Sequence, residues 1–200
     1  MRALASVLLV ACAPRFATDL EAQLESEVIA LNQTVRRLQT EVETCKTTMP
    51  PDRLYAELTQ VFTGTEVEVT RTGRVTRLRV PAAHVFRAPG QSSLRDEAAM
   101  TIDLLGTALA VNTEHAVRIV GHTSDRSLPV DGDRPFASHL DQSLHLAAAF
   151  TRALLSGADI EAERIEVAGR GSWDPLSSND LPSGQDRNHR LEIFLTPPDA

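Results

Sequence analysis

The stretch VRIVGHTSD (residues 117–125) decides how the chain is read. Val117 and Ile119 alternate with Arg118 and Val120, and the run closes in Gly, Thr, Ser and Asp. Such alternation marks a strand, and the polar cluster marks its exit into a loop. Thr123, Ser124 and Asp125 then have two readings. Asp and Ser at a strand end commonly bond their own backbone and make a turn. They can equally form a small polar site held out by a rigid element.

Outward from that strand, composition narrows the choices. The chain has 200 residues, 42% of them hydrophobic and 24% charged, which suits one soluble globular domain plus an extension. A formal net charge of −7 with no basic face argues against a nucleic-acid partner. All but one of the 20 basic residues are Arg, Lys46 being the exception. No Gly-x-Ser-x-Gly elbow or Cys/His pair supports nucleophilic catalysis. GRGSW (residues 169–173) is followed by Asp-Pro and not by a helix, so it does not read as a phosphate loop. His139 and His145 are six apart and fall on different helix faces, which gives no metal-ligand spacing. Trp173 and Tyr55 read as packing residues. No enzyme activity, cofactor or metal is expected.

Residues 1–11, MRALASVLLVA, carry one Arg and a short apolar run. A bilayer span needs about 20 apolar residues, so the run fits the apolar region of an export signal instead. LVAC (residues 9–12) resembles the lipobox of bacterial lipoproteins, which implies lipidation of Cys12. Residues 12–19 would link this anchor to a helical segment.

That segment is residues 20–48. Leu24, Val28, Leu31, Val35, Leu38, Val42 and Cys45 are spaced alternately by four and three. The pattern is a heptad repeat with Val at a and Leu at d, and it predicts a parallel two-stranded coil through residues 20–47. Thr18 and Glu21 form a capping box at its start. Glu41 at g can meet Lys46 at the next e across such a dimer. Cys45, at d, would face its copy and is an interchain disulfide candidate. An amphipathic helix lying on its own domain is the competing reading. Pro50-Pro51 ends the helix.

From 50 to 197 the chain reads as one α/β unit. A helix is expected in residues 52–62, and two strands around Thr72-Gly73. A second helix places Ala98, Ile102, Leu105 and Leu109 on one face. A third places Leu140, Leu144, Ala147, Thr151 and Leu154 on another. RIEVAG (164–169) and HRLEIFL (189–195) complete the strands. Strand and helix alternate, so the fold class is an α+β sandwich of βαβαβ type, with helices on one face of a mixed sheet.

Five fragments in this order resemble the OmpA-like domain of outer-membrane proteins, Pal-type lipoproteins and flagellar stator proteins. VFRAPGQSSL (85–94) is similar to the family's opening turn, and GHTSD to its "GHTD". FASHLDQS (136–143) resembles the entry to the second helix. ERIEVAGRGSWDPLSSND (163–180) keeps Arg164, Gly169, Gly171, Pro175 and Asn179, and NHRLEIF (188–194) resembles the closing "NRRVEI". The resemblance implies recognition of the diaminopimelate zwitterion of peptidoglycan, through the Asp of "TD" and an Arg of an "LSxxRA" helix. This chain departs at both. Ser124 stands at the Asp position with Asp125 one residue later, and Leu146 stands at the Arg position. Arg190, which matches a family Arg, or the loop residues Arg126 and Arg134, could replace the lost cation. The resemblance thus implies a peptidoglycan-binding set of Thr123, Ser124, Asp125, Asn179 and Arg190. His122 matches a family His that reads as structural.

The expectation is a lipoprotein anchored at the periplasmic face of the outer membrane, whose OmpA-like domain holds peptidoglycan without covalent attachment. Ala13 after the Cys, where inner-membrane retention would favour Asp, supports the outer membrane. A stator role is not expected. The alternative is a degenerate domain serving as a protein-interaction scaffold of the envelope or of a secretion system.

Overall fold

The computed structural model describes residues 15–48, 53–87, 93–126, 128, 130, 131 and 134–198. The expected signal segment and Cys12 lie outside the described residues. The chain divides into two compact units, Met1–Met49 and Pro50–Ala200.

The first unit holds helix α1 (Arg15–Thr48). It starts ahead of the expected Thr18 cap, because Arg15, Phe16 and Ala17 do nothing to oppose a helix. Leu24, Val28, Leu31, Val35 and Leu38 are exposed along it, at 44–65%. No helix among the described residues is long and apolar enough to cross a membrane.

The second unit opens with α2 (Arg53–Val61), which buries Leu54 and Leu58. Strands β1 (Glu68–Thr72) and β2 (Val75–Pro81) form the expected hairpin. Gly73 makes its turn with a φ of 60°, a conformation that a β-carbon opposes. A single turn, α3 (Ala82–Val85), leads to α4 (Asp96–Val111). Then come β3 (Ala116–His122), a small ribbon of β4 (Val130–Asp131) and β5 (Arg134–Pro135), and α5 (His139–Gly157). The chain finishes with β6 (Ile165–Gly169), α6 (Pro182–Asn188) and β7 (Arg190–Thr196).

The main sheet has the order β1-β2-β7-β3-β6. Only β3 and β6 run parallel, as an intervening helical crossover requires; the other pairs are antiparallel. Leu78, Val80, Val117, Ile119, Leu191, Ile193 and Leu195 share one face and enter a single core with Leu58, Leu105, Leu109, Phe150 and Leu154 from the helices. Ala98, Ile102, Leu105 and Leu109 of α4 are buried as their spacing required.

Helix α5 departs from its expected face. Leu140 and Leu144 are exposed, while Gln142, Ser143, Leu146, Ala147, Phe150, Thr151 and Leu154 are buried. The cause is close contact with the sheet. A β-carbon on Gly121 would lie 2.0 Å from the Ser143 carbonyl oxygen, and one on Gly169 would lie 2.7 Å from Ser143 Oγ. Only a small residue fits between helix and strands there, so the helix turns Ser143 inward and its two leucines outward.

Candidate functional site

The polar ends of β3, α5, α6 and β7 meet at one corner of the second unit. Ser138 caps α5 by accepting a hydrogen bond from Asp141 N–H (3.1 Å), and Asp141 Oδ2 accepts from Ala137 N–H (3.1 Å). One turn on, Ser143 Oγ donates to Leu140 O (2.9 Å) and accepts from Gly171 N–H (2.9 Å). The helix start is thereby fixed to the loop leaving β6. Thr123 N–H donates to Gly171 O (2.9 Å), so the loop leaving β3 is held to the same point.

The floor of the corner is neutral. Ser124 is 1% exposed, and its N–H and Oγ both lie 3.4 Å from His189 Nδ1. The other ring nitrogen of His189 faces the Gln142 amide at 3.4 Å. A backbone N–H can only donate, so Nδ1 is the acceptor and the proton sits on Nε2. Gln142 Nε2 lies at this distance, so the amide accepts from the ring only when turned end for end to present its oxygen. Burial, with Arg126 adding positive charge nearby, holds the His189 pKa down to about 4 and keeps the ring neutral near pH 7.

Beside this floor runs a chain of charges on the helix-free face of the sheet. Glu68 pairs with Arg79, Arg79 with Glu192 (3.4 Å), and Glu192 with Arg190 (2.8 Å). Arg190 is 2% exposed and also donates to the carbonyls of Asn188 (3.2 Å) and Asp174 (3.1 Å). Its guanidinium therefore serves its own strand and the β6–α6 loop. Burial pushes the Glu192 pKa up, but the hydrogen bond and charge of Arg190, with His122 and Arg79 behind them, bring it below the ordinary carboxylate value. His122 Nε2 lies 3.9 Å from Glu192 Oε2. Burial and the charge of Arg190 hold its pKa down to about 4, so the contact is not an ion pair near neutrality.

Asn179 and Asn188 bind the loop together. Asn188 is fully buried and uses its whole amide: Oδ1 accepts from Leu176 and Ser177 N–H (2.7 and 3.0 Å), while Nδ2 donates to Ser177 O and Asn179 Oδ1 (2.8 Å each). Arg164 works in the same way elsewhere, donating to the carbonyls of Leu109, Asn112 and His115 and so capping the end of α4.

At the mouth stand Asp125 and Arg126, with the exposed Asp186 beside them. Asp125 is exposed, and among the described residues nothing hydrogen-bonds its carboxylate. Arg126 reaches across to α6, donating from Nε to Gln185 Oε1 (2.9 Å) and from Nη2 to Asp186 Oδ1 (2.9 Å). A guanidinium has five N–H groups, so the outer edge of the fork stays open. The arrangement presents a carboxylate and a fixed guanidinium on consecutive residues, above a floor that carries no charge.

Of the expected set, the structure gathers Thr123, Ser124, Asp125, Asn179 and Arg190 around one corner but gives them different surroundings. Asp125 faces solvent, Ser124 the floor, and Arg190 the interior. Leu146 is 1% exposed and packed in the core, so its position does not open onto this corner. Restoring an Arg there would bury a cation in the core. Gln142, Gln185 and His189 were not singled out by the sequence. Only His189 had a signal: it stands between Asn188 and Arg190, where the resembling motif has Arg. No group of three metal-ligating side chains occurs among the described residues.

Comparison with known proteins agrees with this architecture. "Probable lipoprotein YiaD" of Escherichia coli is 29% identical over 142 residues, 71% of this chain and 61% of that protein. "Motility protein B" of Bacillus subtilis is 25% identical over 113 residues, 56% of this chain and 42% of that protein. The match thus spans less than two thirds of either relative. A MotB-like protein of Desulfovibrio vulgaris has a solved structure that superposes with a TM-score of 0.65 at 28% identity, covering 80% of this chain and 99% of that one. Neither curated relative bears an enzyme's name. The OmpA family profile matches residues 86–189, from Phe86 to His189 in the floor of the corner. The chain belongs to the OmpA family.

Proposed function

We propose that this protein is an outer-membrane lipoprotein, anchored through Cys12, whose OmpA domain holds peptidoglycan non-covalently and so ties membrane to wall. The observation that carries the reading is the pair Asp125 and Arg126. A zwitterion such as the diaminopimelate of a stem peptide needs a carboxylate for its ammonium and a guanidinium fork for its carboxylate. Arg126, steadied by Gln185 and Asp186, supplies the fork in place of the cation missing at residue 146. Ser124, Thr123 and Asn179 shape the loops beneath, and Arg190 fixes them from within.

Sedimentation of the purified full chain with isolated sacculi tests this. Wild type should co-sediment, while Asp125→Ala and Arg126→Ala should each weaken retention by at least tenfold, the first with unchanged melting temperature and the second with a stability loss of about 1 kcal/mol or less. Loss of a charged partner at a desolvated contact typically costs about 2–5 kcal/mol. A wild type that stays in the supernatant rejects the reading.

The neutral floor favours a second reading. With Ser124, His189 and Gln142 bonded to one another and Leu146 in the core, the domain would act as a protein-interaction scaffold of the envelope. In that case no variant changes sacculus retention, and crosslinking in cells captures a protein neighbour through the Asp125–Arg126 loop.

A further inference from the structure

The exposed stripe on α1 calls for a partner, and its flanking charges indicate which one. Leu24, Val28, Leu31, Val35 and Leu38 lie along one seam of a continuous helix and are all exposed. Val42 and Cys45 continue the seam by register. A stripe of a and d positions is the width that one further helix covers. We infer that the partner is a second copy of the same helix, parallel and in register, so that one assembly carries two OmpA domains.

The flanks decide the orientation. In a parallel pair each g residue meets the e residue five places on in the other strand. That sets Glu27 against Asn32, Thr34 against Gln39 and Glu41 against Lys46, with no like charges opposed and one attractive pair repeated on both sides. An antiparallel pair with full overlap of residues 24–42 instead sets Glu27 against Glu41 twice. Val at a with Leu at d selects two strands over three or four. On the proposed anchoring at Cys12, both helices also start from the same surface, which a parallel pair satisfies. Two domains on one stalk would be bivalent, and two weak contacts to the same polymer can exceed a single one by about 10²–10⁴.

The test uses oxidative crosslinking of the full chain, with Cys12→Ser leaving Cys45 as the sole thiol. Non-reducing gels should show Cys45 forming dimer readily over a dilution series. Moving the thiol to another seam position (Cys45→Ser with Leu31→Cys) should give comparable dimer. Moving it to the outer face (Cys45→Ser with Gln33→Cys) should reduce dimer at least tenfold. Val35→Asp in the Cys45 chain should lower dimer to that background while circular dichroism shows the domain still folded. Crosslinking at Cys45 no better than from the outer face, or unaffected by Val35→Asp, overturns the parallel pair. These readouts do not involve the wall, so the pair can fail while sacculus binding stands, or the reverse.

Discussion

The carbonyl oxygen of Ser143 occupies space that a side chain on Gly121 would claim, at 2.0 Å from its β-carbon position. Helix and strand touch there backbone to backbone, and the loop carrying Thr123 to Arg126 leaves β3 two residues later. Gly121→Ala should force α5 off the sheet and destabilise the domain by at least ~1–3 kcal/mol. Urea denaturation measures this, and a change below about 0.5 kcal/mol would show that the helix yields without cost.

Leu146→Arg places a guanidinium at a position that is 1% exposed and belongs to the hydrophobic core. Unpaired buried charge is strongly unfavourable, so the variant should lose ~3 kcal/mol or more and gain no sacculus binding. A variant of wild-type stability with stronger retention would mean that α5 rotates to open this position.

Arg190 and Asp125 should separate cleanly. Arg190→Ala takes from the buried Glu192 its shorter charged hydrogen bond, leaving Arg79 as its remaining cation, and should cost about 3 kcal/mol in stability. Asp125→Ala should leave the melting temperature unchanged, since its carboxylate makes no hydrogen bond among the described residues, and should act on retention alone. If the truncation at Arg190 is neutral for stability but abolishes binding, its role is at the ligand.

His189 and His122 should make the domain sensitive to mild acid. Both have folded pKa values of about 4 against an ordinary 6.5. Between those values the unfolded chain takes up protons that the native state refuses. Their full contribution is present above pH 6.5, declines as pH falls, and is gone near pH 4, with up to ~3 kcal/mol at stake per ring. His189→Gln should flatten the stability profile between pH 6.5 and 4 by about half. An unchanged profile would show that the ring already titrates freely.

Lipidation at Cys12 is checked by mass spectrometry of the mature N-terminus, where a diacylated or triacylated Cys12 is expected. A mature chain starting elsewhere would remove the anchor from the proposed function.

How much of the fold is legible in the sequence varies with the length of the pattern. The β1–β2 hairpin announces itself through Thr72-Gly73, and α4 through four apolar residues at helical spacing. Helix α6 does not, because seven residues inside the polar run SSNDLPSGQDRN carry no periodicity; Pro182 at its first turn is the available sign. The inner face of α5 escapes a reading by apolarity, because Ser143 wins its place by size. The occupation of Arg190 is within reach. Glu192 lies two residues along the same strand and so on the same face, which is enough to suggest a pair.

The charge chain from Glu68 to Arg190 has one further consequence, for how the strands find their alignment. The aliphatic face is nearly uniform: slide β2 along β7 by two residues and Leu78 or Val80 still meets Leu or Ile. The opposite face is not so forgiving. In the native pairing Arg79 stands across from Glu192. A two-residue slip one way sets Arg79 against Arg190, and the other way sets it against Phe194 and leaves Glu192 facing Pro81. Like charges directly opposed are unfavourable, and an orphaned carboxylate more so. The helix-free face thus acts as a key, telling the correct alignment from near-copies that oil-like packing alone would accept.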